Sequence, residues 1–313
     1  MLRERTEHVA VDGGSLAVHV LGDAEPGTST VVALHSISSN GLAWVPLARA
    51  LPAGVGLLAP DLRGRAESSE LRSTGLADHV ADVVRVLDHF GLERPVLAGH
   101  SMGAFGAALA AATHPDRVSG VVLVDGGLAF PSPGTLFNAI ADVDEVLHSI
   151  IGPAMDRLSM TFEDEAAYLR HWADHPAMGP LLESAAGGDL AAYLLHDLAG
   201  APGAMRSTSS LECVRADWTD LMSDPATLSA VHTLQCPARL FWAARGPLGQ
   251  AEGLYSSARI EEARLPGDVQ VTGLDADHYG VLLEPGPVGA IASAVGELAG
   301  VPTSGRGIHP AVK

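Results

Sequence analysis

The sequence predicts an α/β architecture: a mostly parallel sheet covered by helices on both faces, with a helical insertion late in the chain. Three observations carry this. Short strand-like runs alternate with helix-like runs over the first 125 residues. Those strands are apolar without alternation, as expected of strands buried on both faces. The alternation stops near Gly126 and resumes near Ala238.

The elements follow in order. Val9–Val11 and Leu16–Val20 flank Asp12-Gly13-Gly14 and predict a hairpin. Val31–Leu34 is a short buried strand, Gly41–Leu51 a helix stopped by Pro52, and Val55–Ala59 a strand. Leu76–Phe90 carries Val80, Val83, Val84 and Leu87 at helical spacing, with Gly91 at its end. Val96–Ala98 and Val118–Val124 are strands around a helix, Met102–Thr113. Beyond Gly126, helical stretches such as Val143–Ile151 and Glu163–Ala173 sit between Pro and Gly clusters. The pattern ends with a strand at Ala238–Ala243, a helix near Glu252–Glu262, a strand near Val269–Thr272 and a helix at Pro287–Leu298. This predicts a core of residues 1–129 and 231–300, an insertion at 130–230 and a mobile tail at 301–313.

Composition narrows the function. The 313 residues are 47% hydrophobic, enough for a large core. No run of about 18 apolar residues is present, so no membrane span is expected. The first residues lack the apolar core of a signal peptide, and the expected location is cytoplasmic. With 19 Lys and Arg against 37 Asp and Glu, the formal net charge is −18, which disfavours nucleic acid and anionic membranes. Cys213 and Cys236 are expected to be buried thiols, and no Cys/His cluster has zinc spacing. The expected partner is a small-molecule substrate, with no cofactor and no metal, on a monomer or homodimer.

The chemistry centres on Gly99-His100-Ser101-Met102-Gly103. A Gly-x-Ser-x-Gly placed after a strand and before a helix predicts a sharp turn that exposes the serine hydroxyl as a nucleophile. A serine needs a base. His278, in a loop just after the last strand, is the candidate; His100 lies beside the nucleophile and is expected to point elsewhere. His35 is expected to shape a loop, and His171 and His175 to sit on the surface or line a pocket. The imidazole in turn needs an acid to set its tautomer. Asp125, at the tip of Val118–Val124, is the first choice, with Glu252 and the Asp275/Asp277 pair as alternatives. The Met102 and Ile37 amides are the expected oxyanion donors, the second from the loop His35-Ser36-Ile37-Ser38-Ser39-Asn40-Gly41.

Together, LHSISSNGLAW, APDLRGRAES, GHSMG and DADHYG resemble the motifs of the α/β-hydrolase superfamily over nearly the whole chain. The resemblance implies a mostly parallel eight-stranded sheet flanked by helices, with a helical cap inserted before the seventh strand. It implies a cofactor-independent serine hydrolase acting on a carboxylic ester or lactone. Carbon–carbon bond hydrolysis, perhydrolysis and a ligand receptor with little turnover are the alternatives. Ser101 as nucleophile points away from the similar haloalkane dehalogenases and epoxide hydrolases, which use aspartate. Ser36, Leu136, Phe137, Trp172 and Trp218, with Met155 and Met160, are the candidates to line the substrate pocket. Three positions depart from the family pattern. Ser36 stands where glycine is usual, Ala66 likewise, and Gly246 occupies the usual place of the acid after the seventh strand. Some members carry the acid after strand six, where Asp125 lies.

Overall fold

The computed structural model describes residues 2–22, 29–130 and 143–301. Leu136, Phe137 and the tail beyond Val301 therefore lie outside the described residues.

Among the described residues, ten strands are formed: β1 (Glu4–Val11), β2 (Gly14–Leu21), β3 (Ser29–Leu34), β4 (Val55–Pro60), β5 (Val96–His100), β6 (Gly120–Val124), β7 (Leu198–Ala199), β8 (Arg206–Ser207), β9 (Ala238–Ala243) and β10 (Val269–Leu274). Eight of them make one sheet in the order β1-β2-β4-β3-β5-β6-β9-β10. β1, β2 and β4 pair antiparallel, and every later neighbour pairs parallel. Side chains of β4, β5 and β6 are buried throughout, which is why these strands read as continuous apolar runs. The order turns back between β3 and β5, and in such sheets sites form beyond the carboxyl ends of the strands near this reversal.

The helices are α1 (Val45–Ala50), α2 (Leu76–His89), α3 (Met102–Thr113), α4 (Val143–Ile151), α5 (Pro153–Asp156), α6 (Glu165–Ala173), α7 (Met178–Leu182), α8 (Gly187–His196), α9 (Leu211–Ser223), α10 (Pro225–Ser229), α11 (Ser257–Ala263), α12 (Gly280–Leu283) and α13 (Pro285–Leu298). Helix α3 is buried along most of its length, as its Ala- and Gly-rich composition allows. Among the described residues, no helix is long and apolar enough to cross a membrane.

Local chemistry explains where boundaries differ from expectation. The predicted helix over 41–51 is split into a 3-10 turn, Gly41–Trp44, and α1. Pro46 lacks the N–H that a continuous helix would use, so it sits in the first turn of a new one. Helix α11 starts five residues later than expected because the Ser256 hydroxyl accepts from the Arg259 N–H and caps it there. Likewise Asp164 caps α6 through the Ala167 N–H. Between β6 and β9 the described chain is mainly helical; the β7/β8 pair, two residues per strand, and the Phe162–Met205 bridge are too short to leave a periodic signal. Cys213 and Cys236 are both buried free thiols.

Candidate active site

The turn between β5 and α3 places Ser101 at φ 53° and ψ −121°, a conformation that costs a non-glycine residue energy. The strain falls on the serine itself, and the flanking glycines serve a different purpose. A Cβ on Gly99 would lie 2.1 Å from the Gly103 carbonyl oxygen, and one on Gly103 would lie 2.1 Å from the Leu34 carbonyl oxygen. They let three backbone segments touch. Gly126 completes the set, since its Cβ would lie 2.2 Å from the Ser101 carbonyl oxygen. The Ser101 N–H donates to the Val124 carbonyl at 2.9 Å, so the elbow leans on the end of β6.

Asp125 follows β6 and also has a positive φ, 43°. Its N–H donates to the Phe241 carbonyl at 2.7 Å, and its Oδ1 accepts the Ala243 N–H at 3.0 Å. The carboxylate thus comes from β6 but rests on the end of β9, beside the position that Gly246 leaves without an acid. Its Oδ2 accepts the His278 Nδ1–H at 2.6 Å, and both side chains are buried. That bond puts the proton on Nδ1 and leaves Nε2 with its lone pair. The other candidate carboxylates are engaged elsewhere: Asp275 pairs with Arg245, Asp277 accepts the Tyr279 and Gly280 amides, and Glu252 is exposed. No hydrogen bond joins the Ser101 hydroxyl to His278 in this structure; such bonds are often long before substrate binds.

His100 does turn away from the serine, yet it has a role that its position in the motif did not signal. Its Nε2–H donates to the His278 carbonyl at 2.8 Å, and the two rings lie 4.5 Å apart. Burial holds His100 well below the usual imidazole range, so it stays neutral and keeps this bond.

The loop from His35 to Gly41 is oriented through its carbonyls. Ser36 O accepts from His35 Nδ1 at 2.7 Å and from the Ser39 N–H at 3.1 Å. A trans peptide is planar, so this aims the Ile37 N–H in the opposite direction. His35 Nε2 accepts the Leu62 N–H at 2.9 Å, which sets its tautomer, and burial lowers its pKa to about 3. No partner is seen for the Ile37 N–H among the described residues, and Met102 opens α3, where the first N–H groups of a helix have no partner within it.

Two buried arginines hold the next carbonyls. Arg65 donates to Ile37 O through Nε at 2.9 Å and Nη2 at 2.6 Å, and pairs with Asp217 of α9 at 2.6 Å. Arg157, just after α5, donates to Ser38 O and pairs with Asp197 at 3.0 Å. Asp197 also accepts the Tyr168, Ser207 and Ser209 hydroxyls. Burial raises the Asp197 carboxyl, but Arg157 and these hydroxyls outweigh it and hold it below the usual carboxylate range. None of these partners was legible in the sequence, because each pair joins distant segments.

A cavity of about 30 Å³ lies beside this loop, with Ser36, Ser39, His100, Trp172, Tyr193 and Tyr279 among its walls. Of the sequence candidates, Ser36 and Trp172 line this cavity. Trp218 does not: it stacks on Phe130 at 6.4 Å and contributes nothing to this wall. Met155 is not in the wall either, and Met160 is 37% exposed. His175 is not a surface residue; it is buried, its Nδ1 accepts the Ala177 and Met178 amides, and burial lowers its pKa to about 4. His171 is half-buried and engages the Pro153 carbonyl at 3.0 Å.

Comparison with known proteins agrees with this fold. A family model described as the α/β hydrolase fold matches residues 29–150. Epoxide hydrolase B of Mycobacterium tuberculosis is 36% identical over 123 residues, covering 37% of this chain and 33% of that protein. A 2-hydroxy-6-oxononadienedioate/2-hydroxy-6-oxononatrienedioate hydrolase of Paraburkholderia phymatum is 34% identical over 131 residues, covering 40% of this chain and 45% of that one. Lipase LipV of M. tuberculosis is 32% identical over 112 residues, 36% of this chain and 42% of the lipase. The matched region thus spans less than half the length of each of these relatives. Among solved structures, an E-2-(acetamidomethylene)succinate hydrolase superposes with a TM-score of 0.75 at 20% identity, covering 96% of this chain and 100% of that one. The thioesterase domain from the curacin biosynthetic pathway gives 0.69 at 19% identity, over 94% and 99% of the two chains. With an eight-stranded sheet in this order, a strained serine elbow and these similarities, the chain has the α/β-hydrolase fold, and its residues 29–150 match the model of that fold.

Proposed function

We propose that the chain is a serine hydrolase that opens carboxylic esters or lactones through an acyl-enzyme. The observation that carries this is the buried Asp125–His278 pair at 2.6 Å beside a serine held at φ 53°. In this reading Ser101 Oγ attacks the substrate carbonyl while His278 Nε2 takes its proton. Asp125 keeps the proton on Nδ1 and stabilises the imidazolium. The Met102 and Ile37 amides receive the oxyanion, and their preorganisation is the largest expected contribution to rate. His278 then returns its proton to the leaving alkoxide. A water activated by the same imidazole releases the acid.

The helical segment between β6 and β9 acts as a cap in this reading. Trp172 and Tyr193 put it against the oxyanion loop, and the Asn40 side chain donates to the Tyr193 carbonyl at 2.9 Å. A cavity of about 30 Å³ has room for roughly one water, so an acyl chain entering it pushes the walls apart.

Similarity to a hydrolase named for 2-hydroxy-6-oxononadienedioate favours one second reading, cleavage of a carbon–carbon bond next to a carbonyl by the same three residues. The test is turnover of p-nitrophenyl esters and aryl lactones by wild type and Ser101→Ala. Acid release that vanishes in the variant supports the ester reading. A folded wild type that turns over none of these, but cleaves a vinylogous β-diketone, supports the second.

A further inference from the structure

We propose that His19, Asp61 and His196 form a binding site for a divalent transition ion of the zinc class, joining the sheet to the helical segment. The three residues come from β2, from the end of β4 and from the last turn of α8. Their ligand atoms, two imidazole nitrogens and one carboxylate oxygen, all lie within 4.8 Å of one another. His196 Nε2 is 2.8 Å from Asp61 Oδ2, and His19 Nε2 is 3.3 Å from the same oxygen. Around a tetrahedral zinc with bonds near 2.0–2.1 Å, ligand atoms sit about 3.3 Å apart. The two nitrogen–oxygen distances already lie near that value.

A second observation points to a ligand here. His19 Nε2 is buried and faces the cluster, and its 3.3 Å contact with Asp61 Oδ2 lacks hydrogen-bond geometry. Space has been cleared for its ring, since a Cβ on Gly41 would lie 2.6 Å from His19 Cδ2. The outer contacts are those that orient metal ligands. Thr6 Oγ1 is 3.3 Å from His19 Nδ1, and the Gly41 N–H donates to Asp61 Oδ1 at 2.8 Å. This leaves Oδ2 facing both imidazoles, with one weaker bond at 3.2 Å from the Glu67 N–H.

The donor set selects the ion. Two imidazoles and one carboxylate suit zinc and its neighbours, whereas magnesium and calcium prefer all-oxygen sites. His196 is partly exposed and leaves room for water as the fourth ligand. The ion would tie residues 61 and 196 together directly beside Asp197, the partner of Arg157. This site does not depend on the esterase reading.

The experiment is zinc titration of chelator-stripped full-length protein by calorimetry, with metal analysis after gel filtration. Cobalt substitution reports coordination by its visible absorption. Wild type should retain one equivalent of zinc, melt at a higher temperature with zinc than without, and give a four-coordinate cobalt spectrum. His196→Ala, at a partly exposed position, should fold, bind zinc at least tenfold more weakly and lose the melting shift. His278→Ala should keep the equivalent, placing it away from Ser101. No retained zinc in wild type would overturn the proposal. So would equal retention by wild type and His196→Ala.

Discussion

Two halves of the same site are held by different forces. The Ser101–Asp125–His278 corner stands on strand ends, and main-chain contacts hold it: the Ser101 amide on Val124, the Asp125 amide on Phe241, and glycines where a Cβ would collide. The loop after β3 is held by charge. Arg65 and Arg157 grip consecutive carbonyls and are each anchored to a buried aspartate, Asp217 or Asp197. Backbone packing tolerates many changes of side chain but no added atoms. A buried ion pair tolerates extra volume poorly too, and its main weakness is the loss of one partner, which strands a charge. The corner should therefore fail in chemistry while staying folded, and the loop should fail in stability and chemistry together.

The largest effect expected is that of Ser101→Ala, about a 10⁶-fold loss of kcat with an unchanged melting temperature. Asp125→Asn should cost about 10⁴-fold in kcat, also without unfolding, because the imidazole loses the anion that sets its tautomer. A rate near wild type would move the orienting role to Asp275 or Asp277. Asp197→Asn leaves Arg157 buried without its charge partner and should lower stability by about 3–5 kcal/mol in urea unfolding. Its kcat should fall more than its KM rises, since the Ser38 carbonyl loses its donor and the loop that carries the Ile37 amide loses an anchor. A normal kcat in the folded variant would make the arginine a stability device alone. Gly103→Ala tests the other half: its new Cβ meets the Leu34 carbonyl, with an expected cost of about 1–3 kcal/mol.

The smallest effect concerns pH. Burial keeps His35 and His175 neutral in the folded state, with pKa values of about 3 and about 4, against an ordinary 6.5. Between these values the unfolded chain binds more protons, so stability rises with pH there. It is complete above about 6.5 and is lost as pH falls toward the folded values. Melting temperatures measured from neutral pH down to pH 4 should decline steadily, and His100 adds to the decline in the same direction.

What could be read from the sequence was local. The strands of the parallel sheet showed as apolar runs, and Met102–Thr113 and Ala238–Ala243 have the ends their composition predicts. Gly-x-Ser-x-Gly between strand and helix marked the elbow. The lone carboxylate at the tip of β6 marked the residue that the structure sets against His278. Distant pairings left no such mark. Arg157 with Asp197, Arg65 with Asp217, and His19 with Asp61 and His196 each join segments that no spacing rule connects. Trp218 and His175 show a related gap, because burial against Phe130 or the α7 amides depends on tertiary contacts and not on residue type.

The central claim is that Ser101, activated by His278 and Asp125, becomes acylated. The most direct measurement is intact-protein and peptide mass spectrometry after rapid quenching with a p-nitrophenyl ester. The account predicts one acyl group on the peptide containing Ser101, none in Ser101→Ala, and much slower acylation in Asp125→Asn. An acyl group on another residue, or turnover with equal acylation rates in wild type and Asp125→Asn, would contradict it.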